Sequence, residues 1–310
     1  MERVWRALDD GSRTALTSGL APTDLQTLLL DVARSRAGRV VPARVVRRWR
    51  EDRFVRPSAH DPRALSRLEA RLWELLPGRF AGVELSPVAP LGTCSAVATV
   101  DQNQVVSTVR GSEVVSDPTN ALAVEAAVRR SSGPRTGRVD LACVHRVLRA
   151  QRFDGPGRSA HFRLFALVSS ARDRGSGTAQ AEMLADHLRF WARVLDEFVP
   201  HLGPWLTFTG FGPSALAERF ADTVHPAVAG SARVVELRAD PARTQGAGYY
   251  DDAAIGLRAR DGEEIDLGDG GTTDWTAKLL GDAKERCVTS CVSTERLLSL
   301  SEPRDPVGRP

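Results

Sequence analysis

A chain of 310 residues with 42% hydrophobic and 26% charged residues is an ordinary globular composition, enough for one large domain with an appendage or for two domains. Its 42 basic and 39 acidic residues leave a formal net charge of only +3, which argues against non-specific nucleic-acid binding. The four cysteines, Cys94, Cys143, Cys287 and Cys291, show neither zinc-ligand spacing beside histidines nor a disulfide framework.

The opening "MERVWRALDDGSR" carries charges throughout and lacks an apolar signal core. No stretch approaches membrane-spanning length, so a cytoplasmic protein with no membrane partner is expected. "TDLQTLLLDVARSR" places apolar residues at helical spacing behind a Thr23/Asp24 cap. "VVPARVVRRWREDRF" reads as a second helix, with Pro42 near its start and a solvated basic face of Arg47, Arg48 and Arg50. "HDPRALSRLEARLWELLP" opens a further helix at Asp61-Pro62 and sets a boundary there. The expected organisation is an N-terminal helical segment over 1–61, a core over 62–302 and a flexible tail over 303–310.

From Phe80 short strand-like runs appear: "AGVELSPV", "QVVSTVRG", "RVDLACVHRVLRA" and "HFRLFALVSS". The last two flank a polar loop rich in Gly and Pro, and the hairpin carries Arg149, Gln151, Arg152, Arg158 and Arg163. Such a cluster suits an anion such as phosphate, and it equally suits a solvated surface. A long helix follows in "AQAEMLADHLRFWARVLDEFV", then "WLTFTG", the helix "SALAERFADTV" and "ARVVELRA". "YYDDAAIGLRA", "EEIDLGDGG" and "CVTSCVSTERLLSL" complete the chain, and Cys287 and Cys291 read as small core residues of that last run. Strands cluster in hairpins with few βαβ alternations, so the fold class is α+β, built on an antiparallel sheet flanked by helices.

The order of these pieces resembles the catalytic core of class II aminoacyl-tRNA synthetases, in particular the histidyl branch, over roughly residues 62 to 300. "ALSRLEARLWELLPGRFAGVELSPV" is similar to the family's first motif, a long helix and a strand with Pro87 that forms the dimer interface. "VVSDPTNALAVEAAVRR" resembles the segment whose acidic-x-Thr triplet holds the substrate's α-ammonium group, here Asp117-Pro118-Thr119. "LRAQR…HF" resembles the second motif, and "CVSTERLLSL" the third, with Glu295-Arg296 before an apolar helix. "QGAGYYDDAAIGL" resembles the histidyl-specific signature with its Gly and Tyr-Tyr pair, and "GDGGTTDWTAKLLG" the glycine-rich segment lining the amino-acid pocket. Each match alone is weak; six in this order carry the resemblance.

The resemblance implies a site. Arg149 would contact the α-phosphate of ATP and the substrate carboxylate, and Gln151 would accept a hydrogen bond from the adenine amino group. Phe162 and Arg296 would sandwich the adenine, although a core aromatic and a surface charge at a helix start describe them equally well. Asp117 and Thr119 would take the ammonium group, or simply cap a helix. Tyr249, Tyr250 and Thr273 would frame the side chain, though paired tyrosines are often plain packing. Glu264 and Asp266, on the strand entering the glycine-rich segment, would hold Mg²⁺, or are ordinary exposed strand residues.

The departures matter as much. Gln245 stands where the histidyl signature has an Arg acting at the α-phosphate beside the metal, so this catalytic position lacks its charge. Thr272-Thr273 replace an Arg-Tyr pair, Arg163 and Leu164 replace polar substrate-binding residues, and Ser293 stands where a glycine is usual. Histidine is therefore not the expected substrate. The helical insertion and anticodon-binding domain expected of a tRNA ligase have no counterpart in these residues, so tRNA is not the expected acceptor. Two function classes follow. One is an ATP-dependent ligase that makes an aminoacyl adenylate and passes the acyl group to a carrier protein, a small-molecule acceptor or a protein side chain. The other is a non-catalytic paralogue, a ligand-binding subunit like the regulatory subunit of ATP phosphoribosyltransferase. Both take an amino acid or a similar small molecule, and both are expected to be homodimers.

Overall fold

The structure, a computed structural model, describes residues 2–8, 10–134, 136–151, 159–212 and 214–301. Arg152 and Arg158, and the tail over 303–310, lie outside the described residues.

The chain begins with helices α1 (Glu2–Trp5), α2 (Asp10–Thr14), α3 (Pro22–Ala37) and α4 (Pro42–Glu51). No described side chain before Leu65 is buried. The expected Thr23/Asp24 cap is not formed: the cap position of α3 is Ala21, and Pro22 starts the helix. Proline's fixed φ is already helical, so it begins the helix ahead of the cap-forming residues. Arg47, Arg48 and Arg50 on α4 are exposed.

Helix α5 (Pro62–Leu75) is capped by Asp61, whose side chain accepts from the Arg63 amide at 3.0 Å. It buries Leu65, Leu68 and Leu72 at helical spacing. The run "AGVELSPV" yields only the two-residue β1 (Ala81–Gly82), and the chain pairs again as β2 (Val88–Pro90). Pro87, which has no amide to donate to a ladder, lies between the two, and β2 belongs to a separate two-stranded sheet with β3. After α6 (Thr93–Val97), the expected strand "QVVSTVRG" is instead a turn feeding β3 (Ser112–Val114). Thr108 closes that turn on Ser112 through its backbone amide and hydroxyl, both at 2.8 Å, with Gly111 at φ +65°.

Helix α7 (Pro118–Ser132) leads into the hairpin of β4 (Arg138–Leu148) and β5 (His161–Arg172). Then come α8 (Thr178–Phe198), β6 (Trp205–Gly210), α9 (Ala215–Arg219), α10 (His225–Val228) and β7 (Glu236–Ala239). The chain returns through β8 (Ala253–Asp261), β9 (Glu263–Thr273), α11 (Trp275–Leu280), β10 (Glu285–Ser293) and α12 (Thr294–Ser301).

The large sheet runs in the order β1-β4-β5-β10-β9-β8-β6-β7. Only the two edge pairs, β1 with β4 and β6 with β7, are parallel. One face packs on α8, α5 and α12 around Phe165, Leu167, Leu188, Trp191, Val288 and Leu297. The other packs on α7 and α11 around Leu122, Ala126, Cys143, Ala166, Trp275 and Cys287. This is a mixed α+β architecture with helices on both faces of a mostly antiparallel sheet. No helix among the described residues is long and apolar enough to cross a membrane.

Candidate functional site

On the α7 side of the sheet a cavity of about 350 Å³ opens between the start of α7, the end of β4, the strands β9 and β10, and the turn before β8. Each of these elements contributes a polar side chain, and three of the side chains are charged: Asp117, Arg149 and Asp269.

Asp117 is both a helix cap and a cavity residue. Its Oδ1 accepts from the Thr119 amide at 2.9 Å and from the Thr119 hydroxyl at 2.7 Å, as a cap should. Its Oδ2 faces the cavity, 3.4 Å from the Tyr249 hydroxyl and 3.6 Å from Nη2 of Arg149. The two readings of the triplet are therefore compatible, because they use different oxygens.

Arg149 follows the last residue of β4, where its amide donates to the Ala160 carbonyl at 2.8 Å and closes the mouth of the hairpin. Its Nε donates to the Ser116 carbonyl at 2.9 Å, and its guanidinium lies 5.1 Å from the centre of the Phe162 ring. Gln151 also lines the cavity. Arg53, from the segment after α4, donates to the carbonyls of Ala150 and Gln151 and so ties the N-terminal region to this end of the hairpin. Arg163 does not join them. It pairs with Glu69 of α5 at 2.8 Å on the opposite face, since successive strand residues alternate sides.

Tyr249 and Tyr250 line the cavity with rings edge to face at 5.0 Å, and Tyr249 packs in the same way on Trp275 at 5.4 Å. Burial, and then the nearby carboxylates, hold both phenols well above the ordinary tyrosine range. Gly271 accommodates Tyr250: a Cβ there would stand 2.6 Å from the ring. Cys291 lines the cavity too, but burial holds its thiol well up, so it is not a thiolate nucleophile. Cys287 is a core residue, as expected, its thiol pushed up to about 12 by burial.

Gln245 lines the cavity with a neutral amide. A charge lies two residues upstream instead. The Arg243 side chain is only 5% exposed, and its Nη2 reaches 3.5 Å from Oδ2 of Asp269. Nε of Arg243 donates to the Gln245 carbonyl at 2.9 Å, and Nη1 donates to that of Ile255 at 3.0 Å. The Asp269 carboxyl is pushed up to about 6, chiefly by burial and then by Asp266 and Asp117, with Arg243 and the Tyr250 hydroxyl pulling the other way. Neither Arg243 nor Asp269 is singled out by the sequence: one lies in a plain loop, and the other sits inside the glycine-rich segment that the resemblance places along the amino-acid pocket, with Thr273 as its expected contact.

Five expected residues lie outside the cavity lining. Phe162 packs on the cluster of Val115, Val147 and Leu164. Arg296 is exposed and donates to the Asp266 carbonyl. Thr273 is buried, pairs in register with Cys287, and borders a second cavity beside Asp251, Lys278 and Arg286. Four residues of strand separate it from Asp269, roughly 13 Å at the usual rise. Glu264 and Asp266 are more than half exposed and pair with Arg258, at 3.3 and 2.6 Å. These two carboxylates do not fit a metal site as they stand, because a guanidinium already neutralises both. Among the described residues no group of three His, Cys, Asp or Glu side chains converges to hold a metal ion.

The mostly antiparallel sheet flanked by helices has the class II aminoacyl-tRNA synthetase-like core fold, shared with solved structures of histidyl-tRNA synthetases and a related protein. Three solved structures carry that comparison, each at an identity that establishes the fold alone. The histidyl-tRNA synthetase of a Nostoc species superposes with a TM-score of 0.59 at 13% identity, over 80% of this chain and 74% of that one. A Bacillus halodurans protein described as an ATP phosphoribosyltransferase regulatory subunit/histidyl-tRNA synthetase gives 0.58 at 14%, over 81% and 84%. Apo histidyl-tRNA synthetase of S. aureus gives 0.56 at 15%, and there the chain covers 64% of that structure's length. No family model matches the sequence, and no curated protein matches it significantly.

Proposed function

We propose that this chain activates an amino acid as its adenylate in the cavity of Asp117 and Arg149 and passes the acyl group to an acceptor other than tRNA. The observation that carries this reading is the 3.6 Å approach of Arg149 to Asp117, beside the Tyr249 hydroxyl. A carboxylate and a guanidinium that face one cavity at such a loose distance complement a zwitterion. An α-ammonium group takes Oδ2 of Asp117, which holds only the long contacts to the Tyr249 hydroxyl and Arg149, and a carboxylate or phosphate takes Arg149, so one weak internal pair is exchanged for two charge-assisted ones.

In the reaction, an oxygen of the amino-acid carboxylate attacks the α-phosphorus of ATP, the bond to the β-phosphate oxygen breaks, and pyrophosphate leaves. Arg149 would stabilise the charge that gathers on the α-phosphate oxygens. Arg149 now covers the Phe162 ring; swinging onto phosphate would bare that ring for adenine, with Gln151 accepting from the adenine amino group. The acyl group then moves to a thiol or amine of a carrier protein, a small molecule or a side chain, and AMP leaves. A Mg²⁺ ion would arrive on the nucleotide's own phosphate oxygens, and no step is assigned to Glu264 or Asp266. We also infer a homodimer, through α5 and the segment of Pro87.

A second reading is a non-catalytic ligand-binding subunit, such as the regulatory subunit named in the Bacillus halodurans description. The neutral Gln245 in the cavity favours it, as does the placement of Phe162 and Arg296 outside the lining. Amino-acid-dependent exchange of labelled pyrophosphate into ATP, run with each amino acid in turn, separates the two. Exchange with any one of them supports the ligase. Amino-acid binding without exchange leaves the subunit.

A further inference from the structure

Asp269 is the one charged cavity residue that the zwitterion reading leaves unused. An α-amino acid satisfies Asp117 with its ammonium group and Arg149 with its carboxylate, and a second carboxylate still faces the same space. We infer that the cavity is built for an amino acid whose side chain ends in a cation, with Asp269 the carboxylate that receives it. This rests on the proposed reading of the cavity as an amino-acid site, and it names the class of substrate.

The placement on β9 supports it. Gly268, Gly270 and Gly271 surround Asp269. A Cβ at Gly268 or Gly270 would strike β10 backbone, at 2.2 and 2.4 Å, and at Gly271 it would strike Tyr250. Asp269 is thus the side chain that this stretch of strand offers to the cavity. Its existing cationic partner does not saturate it. Arg243, which is not part of the cavity lining, approaches one oxygen at 3.5 Å and is held there by the Gln245 and Ile255 carbonyls. The carboxyl remains raised despite that contact, because burial, Asp266 and Asp117 outweigh Arg243. Asp269, its side chain 43% exposed to the cavity, becomes a specificity element for a cationic group once a ligand excludes water from it, since a neutral side chain would then leave its desolvation uncompensated. The competing account is that the Arg243–Asp269 pair only fixes the turn before β8, and then a ligand's side-chain charge would make no difference.

Calorimetry on the full chain at pH 8 decides between them. The probes are L-ornithine, L-lysine and L-arginine, each beside its neutral isostere: L-norleucine, L-2-aminoheptanoate and L-citrulline. At least one basic member is expected to bind tenfold or more tightly than its isostere, and Asp269→Asn, with its fold checked by circular dichroism, should reduce that ratio to within about twofold. A second measurement needs no variant. The preference of the native chain should fade as pH falls through about 6, where Asp269 takes up a proton. Arg243, Tyr249, Tyr250, Asp117, Asp266 and Cys291 are the charged and titratable groups that face it, and Asp117 meets the same α-ammonium in both members of each pair. Equal binding of the isosteres, a preference that survives Asp269→Asn, or no binding of any probe overturns the inference. A preference without pyrophosphate exchange leaves it standing and removes the ligase reading; exchange with neutral amino acids and no preference does the reverse.

Discussion

Asp117 divides its two oxygens between structure and solvent, and Thr119 is the partner that fixes the division. Oδ1 holds both the amide and the hydroxyl of Thr119, at 2.9 and 2.7 Å, so Oδ2 is left turned toward Arg149 and the cavity. The helix start therefore orients the carboxylate, and the same residue can be tested for its two duties separately.

Asn caps helices about as well as Asp, because the acceptor oxygen is retained. Asp117→Asn is expected to leave the thermal midpoint of the chain nearly unchanged while removing most of its affinity for an α-amino acid. Asp117→Ala should in addition lose about 1 kcal/mol of stability with the cap. Calorimetry and thermal denaturation read the two effects. Unchanged amino-acid affinity in the Asn variant would show that the carboxylate serves α7 alone.

Arg149 is expected to matter most for nucleotide. Removing a guanidinium that pairs with a desolvated phosphate costs roughly 2–5 kcal/mol. Arg149→Ala should therefore weaken ATP binding far more than Phe162→Ala or Arg296→Ala, because only Arg149 of the three lines the cavity. Titration of each variant with ATP in the presence of Mg²⁺ checks the order. Failure of the native chain to bind ATP would dismiss the ligase and leave the ligand-binding subunit.

The long elements were legible because their patterns are redundant. Strand β5 carries an unbroken apolar run from Leu164 to Val168, and α8 repeats apolar residues on enough turns that local exceptions do not matter. Asp117, Thr119, Arg149 and the tyrosine pair were legible for another reason: each sits at an element end or in a motif whose order the sequence preserves. What could not be read is what depends on register. Arg163 faces Glu69, not the cavity, and Thr273 lies too far along β9. Asp269 reaches the cavity only because β8, β9 and β10 align Gly256, Asp269 and Cys291 side by side. Arg243 depends on how a loop folds back, which no periodicity encodes.

The dimer proposal has its own surface. Trp73 of α5 is 36% exposed and its ring passes close to Gly82, while Val88 and Leu91 nearby in the chain are 38% and 52% exposed. An isologous interface over this region would cover them. Light scattering at micromolar concentration is expected to give twice the chain mass, and Leu91→Asp is expected to shift the population toward monomer. A native monomer at that concentration would remove the proposal.

Stability should depend on pH through a histidine that lies one hydrogen bond behind the cavity lining, at Ser290. His187 of α8 is fully buried, its two ring nitrogens 2.9 Å from the Ser169 hydroxyl and 2.8 Å from that of Ser290. Trp191 donates to the same Ser290 hydroxyl at 2.8 Å, so the imidazole is locked between β5 and β10. Burial, and then the Arg138 guanidinium, push its proton affinity down to about 3. An unfolded histidine titrates near 6.5, so between these values the unfolded chain binds a proton that the folded chain refuses. Stability must therefore fall as pH drops below about 6.5, at roughly 1.4 kcal/mol per unit from this residue, and it gains nothing from it above neutrality. Urea unfolding followed from pH 7.5 to 4.5 should show that loss. In His187→Gln, which keeps a polar group but not a titrating one, the slope should be shallower by about one proton even if the variant is less stable at pH 7.5. Equal slopes in the two proteins would mean that the folded chain takes up a proton at His187 as readily as the unfolded one, and would overturn the expectation.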